Sequence, residues 1–349
     1  MHSRLSATLA FSAAAAAIAL AGCSGSSTSS QLPGASSSTQ SIARAPLGSR
    51  QAIGGLVLDP NRKQTAKFPR YVNSYTSSTE YVLYCGFYES ACYVLNTSGS
   101  LVSTITSGLD NPQGTSIGAL TGNWYIASTD NYTIPEYSIS ESGGPTLLTT
   151  YNSATDDYPV WTSVFEKGKK KISSTLAISN IFNSKTDKDP SVTVLDEKNG
   201  KSKQLTYLGA SEGIGIAYDA AGNCYWSFNP GSIAKYTKCK GFGSKVVSGL
   251  SFAGGLAFDN GDNLWYADQE KGIYKCSGTS SCTLQYSGFG DAFAIAFDSS
   301  FQNLYVSDAS DDVIDICPLS GTTCSTFYDT GSATGEPPFG VAVTPAIVP

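Results

Sequence analysis

Apolar and polar positions alternate along this chain in short runs, and the runs recur as a set. Three segments superpose by eye: GIGIAYDAAGNCYWSFNPGSIAKYTKC from Gly213, GGLAFDNGDNLWYADQEKGIYKC from Gly254 and FAIAFDSSFQNLYVSDASDDVIDIC from Phe293. Each opens on an alternating apolar run, passes an Asp turn, enters a second aromatic-rich run, crosses a polar loop and ends a third run at Cys. A period of two marks strands with a packed face and a facing partner. Weaker copies start near Pro112 and Pro159, and a last half-copy, PFGVAVTP from Pro338, stops after one strand.

Starts about forty residues apart match the spacing of a four-stranded propeller blade. The half-copy completes the count. The segment from Tyr81 to Ile105 holds three strands without a convincing strand in front of them, so the strand from Phe339 to Val343 is expected to supply it. Closing the ring in this way hides the sheet edges. The reading is all-β: a six-bladed β-propeller of four-stranded antiparallel blades closed by the C-terminal strand. IGGLVLDPN from Ile53 also has the form of an innermost strand, which leaves open a seventh blade or an extra strand beside the ring. Asp219, Asp259 and Asp298 follow the first strand of their copies, and Asn223, Asn263 and Asn303 open the second. Asp and Asn there are expected to set the hairpin turn. Gly215, Gly255 and Gly340 are expected to let innermost strands crowd the axis.

The first residues do not belong to this pattern. Residues 1–22 carry a charged start and an apolar run ending in small residues, the form of a removable signal peptide. The run is shorter than the ~20 residues that span a bilayer. LAGC, from Leu20 to Cys23, resembles the bacterial lipobox, which implies lipidation at Cys23 and a membrane anchor that does not cross. Residues 23–50 then form a Ser/Gly-rich tether with little to bury. The ring occupies 51–349, with 51–80 as an irregular lead-in. Ser24 is not the Asp that favours inner-membrane retention in enterobacterial lipoproteins. The expected place is therefore the outer membrane of the cell envelope, facing periplasm or exterior.

Composition removes several chemistries. Charged residues are 14%, with 35 Gly and 20 Tyr, which favours short strands and tight turns. The net charge of −6 argues against nucleic acid. The one His is His2, inside the signal, so a mature chain has no His for a triad, a Cys-His pair or a His-ligated metal. The nine Cys less Cys23 leave an even set in an oxidising compartment. Blade geometry pairs them locally: Cys276 with Cys282 and Cys317 with Cys324 across turns from third to fourth strand, Cys224 with Cys239, and Cys85 with Cys92. A monomer is expected.

The pattern G-(L/I)-A-(F/Y)-D-x-x-x-(D/G)-N-(L/C)-(Y/W) in the three best copies resembles NHL-repeat propellers and the wider group that includes the gluconolactonase/senescence-marker family and virginiamycin B lyase. Its motif specifies a blade, not an activity. The gluconolactonase resemblance implies Ca or Mg at the channel mouth, held here by Glu212 and Asp291 with Asn111 and Gln113, since hard cations accept such oxygens. The family's Asn-Gly pair opening an innermost strand is replaced by Gln113-Gly114, Gly213-Ile214 and Gly254-Gly255. Lyase chemistry of the virginiamycin type relies on His and fails here.

A propeller also assigns loops to faces. Links between blades and loops from second to third strand share one rim, which collects Asp110, Asp130, Asp157, Asp268, Asp308 and Glu336 among others, with Tyr132, Tyr158 and Phe289. The other rim collects EKGKKK from Glu166 and EKNGKSK from Glu197. The tether joins at this basic rim, so its lysines are expected to face the membrane or its anionic polymers. Tyr158, Trp161 and Phe293 near blade starts are candidates to stack on a sugar or peptide. The function expected is a non-enzymatic envelope scaffold that binds a saccharide or an envelope protein. The alternative is a metal-dependent lactonase-like hydrolase, and no cofactor is required by the first reading.

Overall fold

The computed structural model describes residues 79–345 except 87, 89, 153–156, 169–171, 182–189 and 278–280. The signal, Cys23, the tether, IGGLVLDPN and three lysines of EKGKKK lie outside the described residues.

Twenty-four strands form six sheets of four. Blade one takes β1 (Tyr81–Gly86), β2 (Ala91–Asn96) and β3 (Leu101–Ile105). Blade two is β4 (Pro112–Ile117), β5 (Trp124–Ser128), β6 (Thr133–Ile139) and β7 (Pro145–Asn152). Blade three is β8 (Pro159–Lys167), β9 (Ser173–Asn180), β10 (Ser191–Asp196) and β11 (Lys201–Thr206). Blade four is β12 (Glu212–Tyr218), β13 (Cys224–Asn229), β14 (Ser232–Tyr236) and β15 (Ser244–Ser248). Blade five is β16 (Ala253–Phe258), β17 (Leu264–Asp268), β18 (Gly272–Ser277) and β19 (Ser281–Tyr286). Blade six is β20 (Ala292–Phe297), β21 (Asn303–Asp308), β22 (Val313–Pro318) and β23 (Ser325–Asp329), and β24 (Pro338–Val343) ends the ring.

Blade one is completed as the half-copy requires. β24 pairs antiparallel with β1, Leu83 opposite Ala342 and Tyr84 opposite Val341. Thr344 seals the join, its hydroxyl accepting from Tyr81 N at 2.7 Å and its N–H donating to Tyr81 O at 2.9 Å. The innermost strands β4, β8, β12, β16, β20 and β24 pack each against the next, and β24 touches both β20 and β4. The described residues thus form a closed ring of six blades.

Each blade is fixed locally by the residues that repeat. Asn223 donates its backbone N–H to Asp219 at 2.7 Å and its amide at 2.6 Å. Asn263 makes the same clasp on Asp259, at 2.9 Å from both groups, and the Asn303 amide reaches Asp298 at 2.8 Å. Burial works against the charge of Asp259, yet donors from Trp265, Asn263 and Lys275 outweigh it and hold the carboxyl below its usual range. The clasp stands between the first two strands, so it sets their register.

Glycine decides how closely the innermost strands approach. A Cβ on Gly215 would stand 2.6 Å from Gly254 O, and one on Gly340 would overlap the Gln113 carbonyl. Only glycine lets the backbones sit so near. Between the blades, Trp124 and Trp226 are fully buried. Each removes on the order of 200 Å² from water, about 5 kcal/mol before ordering entropy.

All four disulfides form as paired in the sequence: Cys85–Cys92, Cys224–Cys239, Cys276–Cys282 and Cys317–Cys324. One detail differs. Cys239 lies beyond the third strand of its blade, at the end of a 3-10 turn (Thr237–Cys239), because β14 stops at Tyr236.

Candidate functional site

The upper face carries the links between blades. There the channel is stopped by aromatic rings. Trp161 of β8 lies 5.7 Å from Phe293 of β20, on the opposite blade, and Phe293 lies 4.9 Å from Phe339 of β24. Gly114 and Gly255 make room for the indole: a Cβ on the first would overlap it, and on the second would stand 2.7 Å away. Trp161 and Phe293 are therefore buried, as part of the central core. Tyr158 is buried too, its ring 4.8 Å from Tyr132 in a small cluster with Val160 and Ile181. The sequence placed these three rings at a ligand-facing mouth. The structure buries all three: Trp161 and Phe293 stop the upper channel from innermost strands, Tyr158 packs beside it ahead of β8, and Trp161 also lines the cavity below.

The upper carboxylates and amides are mostly engaged in holding loops. Glu212 Oε2 accepts from the Asn229 amide at 3.0 Å. Asn111, in the left-handed region at φ 46°, gives its amide to Asp130. Asp308 accepts from the backbone N–H of Gly290 at 2.7 Å and of Asp291 at 2.8 Å. Asp268 does the same for Ser251 at 3.0 Å. Asp157 accepts from Ser191 at 2.9 Å and Gln204 at 2.6 Å, and Glu336 from Tyr88 N at 2.8 Å. Asp157, Asp268, Asp308 and Glu336 are buried, so this rim is less acidic to solvent than its sequence suggests. Gln113 is buried with its Oε1 unpartnered among the described residues. Glu212 and Asn111 are thus each bonded within their own blade, and no group of three or more His, Cys, Asp or Glu among the described residues could hold a metal ion. Two of the four residues that the lactonase resemblance assigns to a divalent ion, Glu212 and Asn111, are therefore already engaged in holding loops.

The lower half of the channel is different. Below Trp161 lies a cavity of about 220 Å³ walled by all six innermost strands. Each of those strands is paired on one side only, so its other edge brings backbone N–H and C=O groups towards the axis. Hydroxyls line one sector: Ser116 Oγ lies 2.9 Å from Thr162 Oγ1, and Ser163 Oγ accepts from Tyr218 N at 3.2 Å. The Tyr218 hydroxyl is buried with no partner among the described residues. Phe258 and Phe297 line the same cavity from other blades.

Behind this sector a group of carboxyls separates blades two and three. Glu136 is buried and accepts from Asn123 at 2.6 Å, Tyr151 at 2.8 Å and Tyr125 at 3.0 Å. Burial nonetheless raises its pKa. For Glu197, burial first and then the charges of Glu136 and Glu166 outweigh bonds with Ser174 and Tyr125, and push it up to about 8. Burial, with a smaller push from Glu197, raises the Tyr218 phenol as well. Glu166 instead clamps a hairpin, accepting from Leu120 N at 2.5 Å and from the Thr121 hydroxyl at 2.6 Å.

Two features here escaped the sequence reading. Tyr218 ends an innermost strand, where the other two of the three best copies have Phe258 and Phe297, so its hydroxyl was a legible signal. Phe242, between Gly241 and Gly243 and flanked by lysines, was legible as an apolar tip in a turn.

No protein-family profile matches this chain, and no curated protein matches it in sequence. Solved structures do. A chain from the crystal structure of a nidogen/laminin complex is 15% identical, with TM-score 0.61 over 77% of this chain and 100% of that one. A functionally unknown protein from Desulfotomaculum acetoxidans is 9% identical, with TM-score 0.53 over 76% and 99%. A protein of unknown function from Bacteroides caccae is 11% identical, with TM-score 0.55 over 76% and 99%. At such identities the likeness is one of fold alone.

Proposed function

We propose that this protein is a non-enzymatic binding propeller of the cell envelope, lipidated at Cys23, whose ligand site is the lower channel cavity. The observation that carries this reading is the chemistry of the lining. Among the described residues that line the cavity, Tyr218 is the only one with an ionisable side chain. Acid-base or nucleophilic catalysis needs a group poised to move a proton or form a bond, and a phenol raised by burial is poorly suited to either. Binding needs only shape and hydrogen bonds. Free strand edges, Ser116, Ser163 and an unpartnered Tyr218 hydroxyl offer those, with the Trp161 ring closing the cavity from above. A neutral, ring-sized molecule with several hydroxyls, such as a monosaccharide, matches that mixture of polar wall and aromatic surface.

The test is thermal unfolding with glucose, N-acetylglucosamine and inositol as probes, since a ligand that binds only the folded state raises its melting temperature by mass action. At least one probe is expected to do so. Tyr218→Phe, which removes a single oxygen, is expected to weaken that probe by roughly 2- to 10-fold, the worth of one hydrogen bond. If no neutral sugar shifts the transition at tens of millimolar, the cavity is not the ligand site. Calcium or magnesium is expected to leave the transition unmoved. A large shift abolished by Glu212→Gln or Asp291→Asn would instead support the lactonase-like hydrolase, with those residues as metal ligands.

A further inference from the structure

The turn after β14 has an unusual build. Phe242 stands at its tip, 99% exposed, between Gly241 and Gly243. Singly exposed apolar residues are ordinary on protein surfaces. The base of this one is not. The disulfide Cys224–Cys239 fixes one side of the turn to β13. Lys238 donates its backbone N–H to Asn223 at 2.9 Å and its amine to Ala221 O. Gly243 presses on the Tyr236 ring, where a Cβ would stand 2.6 Å from it. The tip is therefore held out from the ring by a braced stem, so presenting the phenyl loses little further chain entropy.

Its surroundings are basic. Lys240 is exposed on the same turn and Lys245 at the start of β15, while Lys198 is exposed on the neighbouring turn of blade three and Lys201 and Lys203 on β11 just after it. The two hairpins are close: the Tyr236 hydroxyl at the base of the first donates to Thr206 O of β11 at 3.1 Å, and partial burial first, then Lys240, lower the pKa of Lys203. The nearest acids are engaged in backbone bonds, Asp262 accepting from Ala220 N at 2.9 Å. Asp196 caps its own turn, accepting from Lys198 N at 3.0 Å and the Asn199 amide at 2.8 Å. Glu197 beside it is half-buried. The chain enters the ring on this same lower face. Glu80, just before β1, accepts from Ser299 N at 2.9 Å and Ser299 Oγ at 2.6 Å in the lower hairpin of blade six.

An exposed aromatic ringed by lysines, on the face where the chain arrives, has one complementary surface: an anionic bilayer. Its acyl boundary takes the ring and its headgroups take the ammonium groups. We propose that the Lys240–Lys245 turn is a membrane finger, in which Phe242 enters the interface of an anionic bilayer while Lys203, Lys240 and Lys245 bind its headgroups. The finger does not depend on the sugar reading of the cavity, and it holds the lower face towards the membrane.

Phe242→Trp in the full chain tests this directly, because the four native tryptophans are buried and report nothing from the surface. With vesicles containing phosphatidylglycerol and brominated acyl chains, the added emission is expected to shift to the blue and lose most of its intensity. With phosphatidylcholine vesicles the effect should be small. Reversing Lys203, Lys240 and Lys245 to Glu in the same background should restore the unquenched emission. Leu208→Trp is the control, since Leu208 is fully exposed in the link between blades three and four on the upper face, and it should stay unquenched. A Trp at 242 that remains water-like and unquenched overturns the proposal, and would leave an acidic protein or polymer as the partner of this turn. Equal quenching at 208 overturns it as well, because lipid contact would then be unspecific.

Discussion

At the scale of single residues, the buried carboxyls between blades two and three couple the fold to pH. In the folded protein Glu197 titrates near 8, whereas an unfolded chain would release that proton near 4.3. Between those values the native state binds the proton and the unfolded state does not, so stability falls as pH rises from about 4.3 to about 8. The slope for one proton cannot exceed about 1.4 kcal/mol per pH unit, and solvent screening of a half-buried group keeps it below that. Glu197→Gln keeps the shape and removes the titration. Urea midpoints measured from pH 5 to 8 should decline in the wild type and run flatter in the variant, which should be the more stable of the two at pH 8. A variant as steep as the wild type would assign the coupling to Glu136, where burial also outweighs the Tyr and Asn donors and raises the pKa.

At the scale of strands and turns, the blade explains both what the sequence disclosed and what it concealed. The Asp and Asn of the hairpin are near neighbours in the chain, so their clasp could be read from spacing, as could the disulfides, whose partners lie 6 to 15 residues apart. The fate of Trp161 could not. Whether a ring on β8 faces solvent or the axis depends on Gly114, Gly255 and Phe293, contributed by three other blades. The same applies to the rim carboxylates, which looked like a recognition surface because their backbone donors are invisible in a one-dimensional pattern. Loop length also ranks the disulfides. In the chain-entropy model a cross-link closing about 15 residues contributes about 3 kcal/mol, and one closing 6 or 7 about 2. Pairwise replacement by Ala should therefore cost most at Cys224–Cys239, in guanidinium unfolding of the four double variants. If Cys276–Cys282 costs as much, native-state packing of the sulfurs decides the ranking instead of loop entropy.

At the scale of the whole ring, closure rests on one strand joining the last blade to the first. The link from β23 to β24 crosses the seam and is tied down, with Thr330 N and Gly331 N donating to Asp312 O at 2.9 and 3.0 Å. Without β24, β1 loses its inner partner and β4 and β20 lose the neighbour between them. Ending the chain at residue 337 should therefore open an unpaired edge and give a protein that associates and unfolds without a single transition. Geometry offers a more discriminating variant. β24 ends on the lower face where β1 begins, with Thr344 bonded to Tyr81, so residues 338–345 can be moved in front of Tyr81 through a short hairpin turn. Blade one is then continuous in sequence and every strand keeps its partner, but no covalent link crosses the seam, which only packing of β20 on β24 would hold. Size exclusion should find this permuted chain monomeric and folded, with a lower urea midpoint than the parent. A permuted chain as stable as the parent would mean that packing between blades suffices and the shared blade adds only a pairing strand. One that aggregates like the truncation would place the essential bond in the covalent crossing.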